Sequence, residues 1–110
     1  MRLFFTLIAI NFCWIFSFGQ SNNNKQIQVK VLTENRSILR DATVILLTKD
    51  NSVIKTSFTD VSGTIVFDQL AAGNYIIKVR LLGFKDHNSS LIDLVSKEEH
   101  VESVTMIADQ

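Results

Sequence analysis

An apolar residue recurs at every second position from Tyr75 to Leu81 in the run YIIKVRLL, Tyr75 to Leu82. Successive side chains of a strand point to opposite faces. Tyr75, Ile77, Val79 and Leu81 therefore share one side, and Ile76, Lys78, Arg80 and Leu82 share the other. Just upstream, Ile65 and Phe67 share a face and Leu70 follows at the strand end. Asp60 and Gly63 punctuate the approach, Gly73-Asn74 separates the two runs, and Gly83 closes them. Glycine reaches φ > 0 without steric penalty and suits such corners, so Gly73 is expected there in that conformation. Period-two runs bounded by turn residues predict a half-buried antiparallel hairpin across Thr59–Phe84.

The same pattern recurs on either side. Ile27, Val29 and Val31 alternate with polar positions and predict a first strand; residues 33–40 are a polar connection. Residues 42–49 predict a second strand that is apolar on both faces, with Ala42, Val44 and Leu46 on one and Ile45 and Leu47 on the other. Asp50-Asn51 makes a tight corner, and both residue types tolerate turn conformations. Residues 53–59 predict a third strand with Ile54, Thr56 and Phe58 on one face. After a polar loop at 85–90, residues 91–95 give a short sixth strand with Ile92 and Leu94 inward. Residues 96–100 form a charged turn, and residues 101–107 a seventh strand with Val104 and Met106 on one face. Seven short strands separated by turn signals predict a seven-stranded antiparallel β-sandwich. If Val44 and Leu46 point inward, Ile45 and Leu47 point outward, and Ile76 and Leu82 do so if Tyr75, Ile77, Val79 and Leu81 are inward. Two readings stand equal: strand propensity on a partly covered surface, and a contact surface, for which Ile45, Leu47 and Ile76 are the candidate partner contacts.

The N-terminus changes the picture. Arg2 precedes a strongly apolar run from Leu3 to Phe18, and Ser17 and Gly19 are small residues before Gln20. This is the pattern of a secretory signal peptide over residues 1–19, cleaved before Gln20. Residues 20–25 read as a flexible lead-in, and residues 26–110 as one domain. Formal net charge is +0, so no basic field for nucleic acid is expected. Cys13 is the sole cysteine and lies in the leader, which leaves no disulfide framework or thiolate metal site.

Candidate chemistry is sparse. His87 and His100 fall on different predicted loops, short of the three or four converging ligands that zinc requires. Ser89-Ser90 near His87 lacks the orienting third group of a catalytic triad. Glu98, Glu99 and Glu102 read as a solvated acidic patch. Asp60 and Asp68 lack the spacing of a calcium loop. Asp60 is expected to accept backbone N–H bonds within its turn. Asn35-Arg36-Ser37 and Asn88-Ser89-Ser90 match the glycosylation sequon, a short motif that carries weight only in a eukaryotic secretory setting. No cofactor or metal site is expected.

Thr59-Asp60, Gly63, Phe67, Leu70, Gly73, Tyr75, Val79 and Gly83-Phe84, with Asp41-Ala42-Thr43-Val44 upstream, resemble the carboxypeptidase regulatory-like domain. The resemblance covers Gln26 to Ile107. It departs at Val29, where the family often has Gly, at Ile65, which replaces an aromatic, and in the absence of Pro before the Ala-x-Val element. It implies a transthyretin-like fold and a non-catalytic accessory domain. Such domains stand ahead of the barrel in outer-membrane TonB-dependent receptors. That implies a protein partner or a larger β-barrel protein, only indirect contact with the membrane, and a place in the periplasm, outer membrane or surface of a Gram-negative bacterium. Two other readings stay open: a free-standing transthyretin-like small-ligand binder, and a structural stalk domain. Some stalk domains carry an internal Lys–Asn bond assisted by a buried acid, and the strand from Tyr75 to Leu82 has no acidic residue.

Overall fold

The computed structural model describes residues 23–109, and the expected leader lies outside the described residues. Eight strands follow one another: β1 (Lys25–Thr33), β2 (Thr43–Thr48), β3 (Val53–Phe58), β4 (Thr64–Leu70), β5 (Asn74–Arg80), β6 (His87–Asn88), β7 (Ile92–Asp93) and β8 (Glu99–Met106). Among the described residues there is no helix. The strands form two sheets packed as a sandwich. Sheet I has the order β4-β1-β8; sheet II has β3-β2-β5-β6, with β7 also on β5. The fold is the all-β sandwich that the alternation predicts.

The core is the inward face of each strand. Ile27, Val29 and Val31 from β1, Val44 and Leu46 from β2, Ile77 and Val79 from β5, and Val104 and Met106 from β8 are all buried. Fully burying such a side chain is worth about 1.5–3 kcal/mol. Leu70 joins them through a bulge. Lys25 faces Leu70 and Ile27 faces Phe67, so β4 carries one more residue than β1 here. Gln69, at φ 54, absorbs the excess and turns Leu70 inward.

Two features differ from the expected architecture. The hairpin over Thr59–Phe84 does not form. β4 pairs with β1, and β5 pairs with β2. The connection at residues 71–73 carries the chain from one sheet to the other. Alternation specifies which side of a strand is buried, and both arrangements bury the same sides. In addition, β1 and β8 run parallel, in register from Gln26↔Glu99 to Thr33↔Met106. Sheet I is thus mixed rather than wholly antiparallel.

Three corners share one device. Thr33, Thr48 and Asp60 each accept, through a side-chain oxygen, the N–H groups two and four residues on. Each also accepts the N–H three residues on through its own carbonyl. The residue at that third position is left-handed in every case: Arg36 (φ 68), Asn51 (φ 67) and Gly63 (φ 74). Only the third corner requires glycine. A Cβ on Gly63 would meet Ile38 Cγ2 at 2.4 Å and the Val31 carbonyl at 3.1 Å. Gly73, by contrast, does not have positive φ. Its neighbour is the Tyr75 ring, 3.9–4.0 Å from where a Cβ would sit. The Tyr75 hydroxyl donates to the Ala71 carbonyl at 2.5 Å and pins the inter-sheet link. Burial raises the Tyr75 pKa.

Candidate functional site

The outer face of sheet II brings the candidate contacts together. Cross-strand partners share a face. Leu47 lies opposite Ile76 on β5 and opposite Val53 on β3. Ile45 lies opposite Lys78 and Thr56, and Thr43 opposite Arg80 and Phe58. Ile45, Leu47 and Ile76 are therefore contiguous. Ile45 and Ile76 are half-buried. Leu47 faces outward yet is only 8% exposed, which corrects the expectation of an exposed side chain. Its place on a central strand between Ile76 and Val53 is the physical reason. The stripe ends on β3, where Val53 is 63% and Phe58 60% exposed.

β3 is an edge strand with almost no cover on either face. Lys55, on its inward side, donates to the Asp68 carbonyl of β4 at 3.2 Å. A groove of about 380 Å³ runs between these two edges, bordered by Lys55, Ser57, Ile65 and Phe67. At the far end of β5, a groove of about 410 Å³ is bordered by Thr43, Arg80, Leu82, Phe84 and Asp109. Arg80 Nε lies 3.5 Å from the Asp86 carboxylate at its rim, and Leu82 is 97% exposed.

The remaining candidates take structural roles. His87 and His100 are not on loops. His87 lies in β6, and His100 in β8. His100 Nε2 is 2.9 Å from Glu102 Oε1, both half-buried on the side of β8 that carries Val104 and Met106. Glu102 is thereby separated from the exposed Glu98 and Glu99. The Ser89 hydroxyl accepts the Ile77 N–H and donates to the Ser90 carbonyl, closing the edge of sheet II. The Asp60 carboxyl is held below its ordinary pKa, chiefly by the Thr64 N–H. Thr59 is buried; its hydroxyl donates to the Leu39 carbonyl and accepts the Ala42 N–H. Lys25 opens β1 instead of belonging to a flexible lead-in. Its ammonium donates to the Lys97 carbonyl at 2.8 Å and lies 3.7 Å from Glu98. Among the described residues no group of three or more His, Cys, Asp or Glu side chains could hold a metal ion.

The sequence profile of the carboxypeptidase regulatory-like domain matches residues 26–107. The chain belongs to that family. The carboxypeptidase regulatory-like domain seen here is similar in fold to pilus subunits and another protein of known structure. The pilus 2b backbone protein of group B streptococcus superposes with a TM-score of 0.64 at 17% identity, over 79% of this chain and 42% of that one. The TIE protein of Bacillus anthracis gives 0.64 at 18% identity, over 78% and 17%. The major pilin subunit of Bacillus cereus gives 0.64 at 12% identity, over 79% and 31%. The chain thus spans less than half the length of each of these structures. At such identities the likeness concerns the fold alone. No curated protein matches the chain in sequence.

Proposed function

We propose that this is an exported, non-catalytic accessory domain that docks onto a protein partner through the outer face of sheet II. The partner that suits the family is the rest of a larger outer-membrane β-barrel protein of the TonB-dependent receptor type. The observation that carries this reading is the stripe Ile45–Leu47–Ile76, continued by Val53 and Phe58. Contiguous apolar surface on a small domain is costly in water and is retained where another protein covers it. The residues that could do chemistry are instead spent on corners, strand edges and a paired His100–Glu102.

The stalk reading is the alternative, and the fold it shares with pilus subunits favours it. Lys25 weighs against a version with an internal covalent bond. Its ammonium is taken by a backbone carbonyl and a carboxylate, not by an asparagine amide.

Site-specific photo-crosslinking in the native host tests the docking reading. A crosslinker at Ile45 or Ile76 is expected to give a discrete adduct with an envelope protein, and one at Gln28 on sheet I none. Equal adducts from the two faces, or none from Ile45 and Ile76, would overturn it.

A further inference from the structure

We infer that the protein surface covering sheet II is both apolar and acidic: apolar residues laid across the strands and, beside them, a carboxylate set on Lys78. This rests on the docking reading and names the chemistry of its partner. The apolar row reaches farther than the three candidate contacts. Val53, Leu47 and Ile76 stand side by side on β3, β2 and β5. The register shift on β3 falls at Ile54 and leaves Val53 opposite Leu47. On the other side of β5, Tyr75 pairs with Ile92 and Lys78 with Asn88. These two registers differ by one residue, so Ser90 and Leu91 share the place beside Ile76. Ile92 and Leu94 are in the core, and Leu91 is 54% exposed. The row Val53–Leu47–Ile76–Leu91 therefore crosses sheet II, roughly 14 Å at the usual strand spacing.

Lys78 lies two residues from Ile76 on the same face of β5, roughly 7 Å along the strand. Its cross-strand neighbours are Ile45 and Asn88, and it is half-buried. Among the described residues no carboxylate is in ion-pair contact with its ammonium. The other charges of this face are already engaged. Arg80 has Asp86 at 3.5 Å, and the Asp93 carboxylate accepts the Val95 N–H at 2.8 Å. A partner that covers Ile45 and Ile76 must strip water from Lys78, which adjoins both. A covered ammonium is costly unless it is paired. An uncharged or basic partner surface leaves that cost standing, and a carboxylate offsets it. The same charge rejects wrong partners. An anionic membrane also combines acid with apolar matter, but it draws on clusters of roughly four to eight basic residues. This face has Lys78 and an Arg80 already paired, so the occupant is a protein.

Photo-crosslinking with the full chain in its native host tests this. A crosslinker at Leu91 is expected to capture the same protein as one at Ile76; no adduct from Leu91 would overturn the row. Mass spectrometry of the Ile76 adduct should find Asp or Glu in the captured peptide. A peptide whose only charges are Lys and Arg would overturn the acidic partner. Lys78→Glu should lower the Ile76 adduct about ten-fold or more, and Lys78→Arg should keep it, both with unfolding midpoints near that of the parent. Should Lys78→Glu fail to fold, Lys78→Gln decides, and its adduct must also fall. Vesicles of phosphatidylglycerol should not carry the chain down in a spin assay; Lys78-dependent binding to them, in place of a protein adduct, overturns the proposal. The outcomes separate this inference from the docking beneath it. No adduct from Ile76 in the parent chain removes docking altogether. An Ile76 adduct that Lys78→Glu leaves unchanged keeps docking and removes only the acidic partner.

Discussion

The outward faces of the two sheets differ in how their apolar residues are arranged. On sheet I, the outward positions of β1 are Gln26, Gln28, Lys30 and Leu32, and those of β8 are Glu99, Val101, Ser103 and Thr105. On sheet II they are Thr43, Ile45 and Leu47 of β2 and Ile76, Lys78 and Arg80 of β5. Strand propensity alone would fill both with β-branched residues. On sheet I the exposed apolar residues Val66 of β4 and Val101 are kept apart by Gln28, whereas sheet II carries a contiguous, partly covered second apolar layer. Leu47, outward yet buried, is where the difference is concentrated.

The largest expected effect separates the two sides of β5. Ile77→Lys places a charge in the core and should abolish the cooperative unfolding transition. Ile76→Lys, one residue away, should still fold, and its denaturation midpoint should remain close to that of the parent. If Ile76→Lys also unfolds the domain, the outer layer is core and the docking reading falls. Next in size, Leu47→Ala should cost about 2 kcal/mol in chemical denaturation, against about 0.5 kcal/mol or less for Val101→Ala on sheet I. Equal costs would erase the contrast between the faces.

The smallest effect concerns the three like-built corners. Only the one at Asp60, which feeds sheet I, has a titrating acceptor. The Asp60 pKa is lowered on folding. Its stabilisation is thus fully present above the unfolded value of 3.8 and fades as pH falls through the lower folded value. Asp60→Thr copies the acceptor used at Thr33 and Thr48 and should flatten this part of the acid unfolding profile. An unchanged profile would show that the corner carries no pH dependence.

The inward and outward sides of β1, β5 and β8 were legible because a half-buried strand writes its burial with period two; β2, apolar at Val44, Ile45, Leu46 and Leu47 alike, took its facing from the family resemblance. Pairing was not. The link at residues 71–73 reads as a hairpin turn because nothing local distinguishes turning within a sheet from crossing between sheets. What decides it is distant: β4 takes β1 as its partner and β5 takes β2, and the Tyr75–Ala71 bond then holds the link. β6 was hidden because it is two polar residues, His87-Asn88, completed by the Ser89 hydroxyl. The start of β8 was hidden because its inward residues there are His100 and Glu102, which satisfy each other where apolar residues were expected. As for the candidate site, the sequence named Ile45, Leu47 and Ile76. Only the ladder between β2 and β5 makes them neighbours.

The parallel pairing of β1 with β8 has a mechanical consequence. Because the two strands run the same way, the chain enters sheet I at Lys25 and leaves it at Met106, at opposite ends of the ladder. Tension applied between those points acts along the strands, across the hydrogen bonds. The ladder must then slip as a whole, all eight residue pairs from Gln26↔Glu99 to Thr33↔Met106 loaded together. An antiparallel pair pulled from adjacent ends would instead open one bond at a time. Along that axis the ladder is therefore loaded in shear.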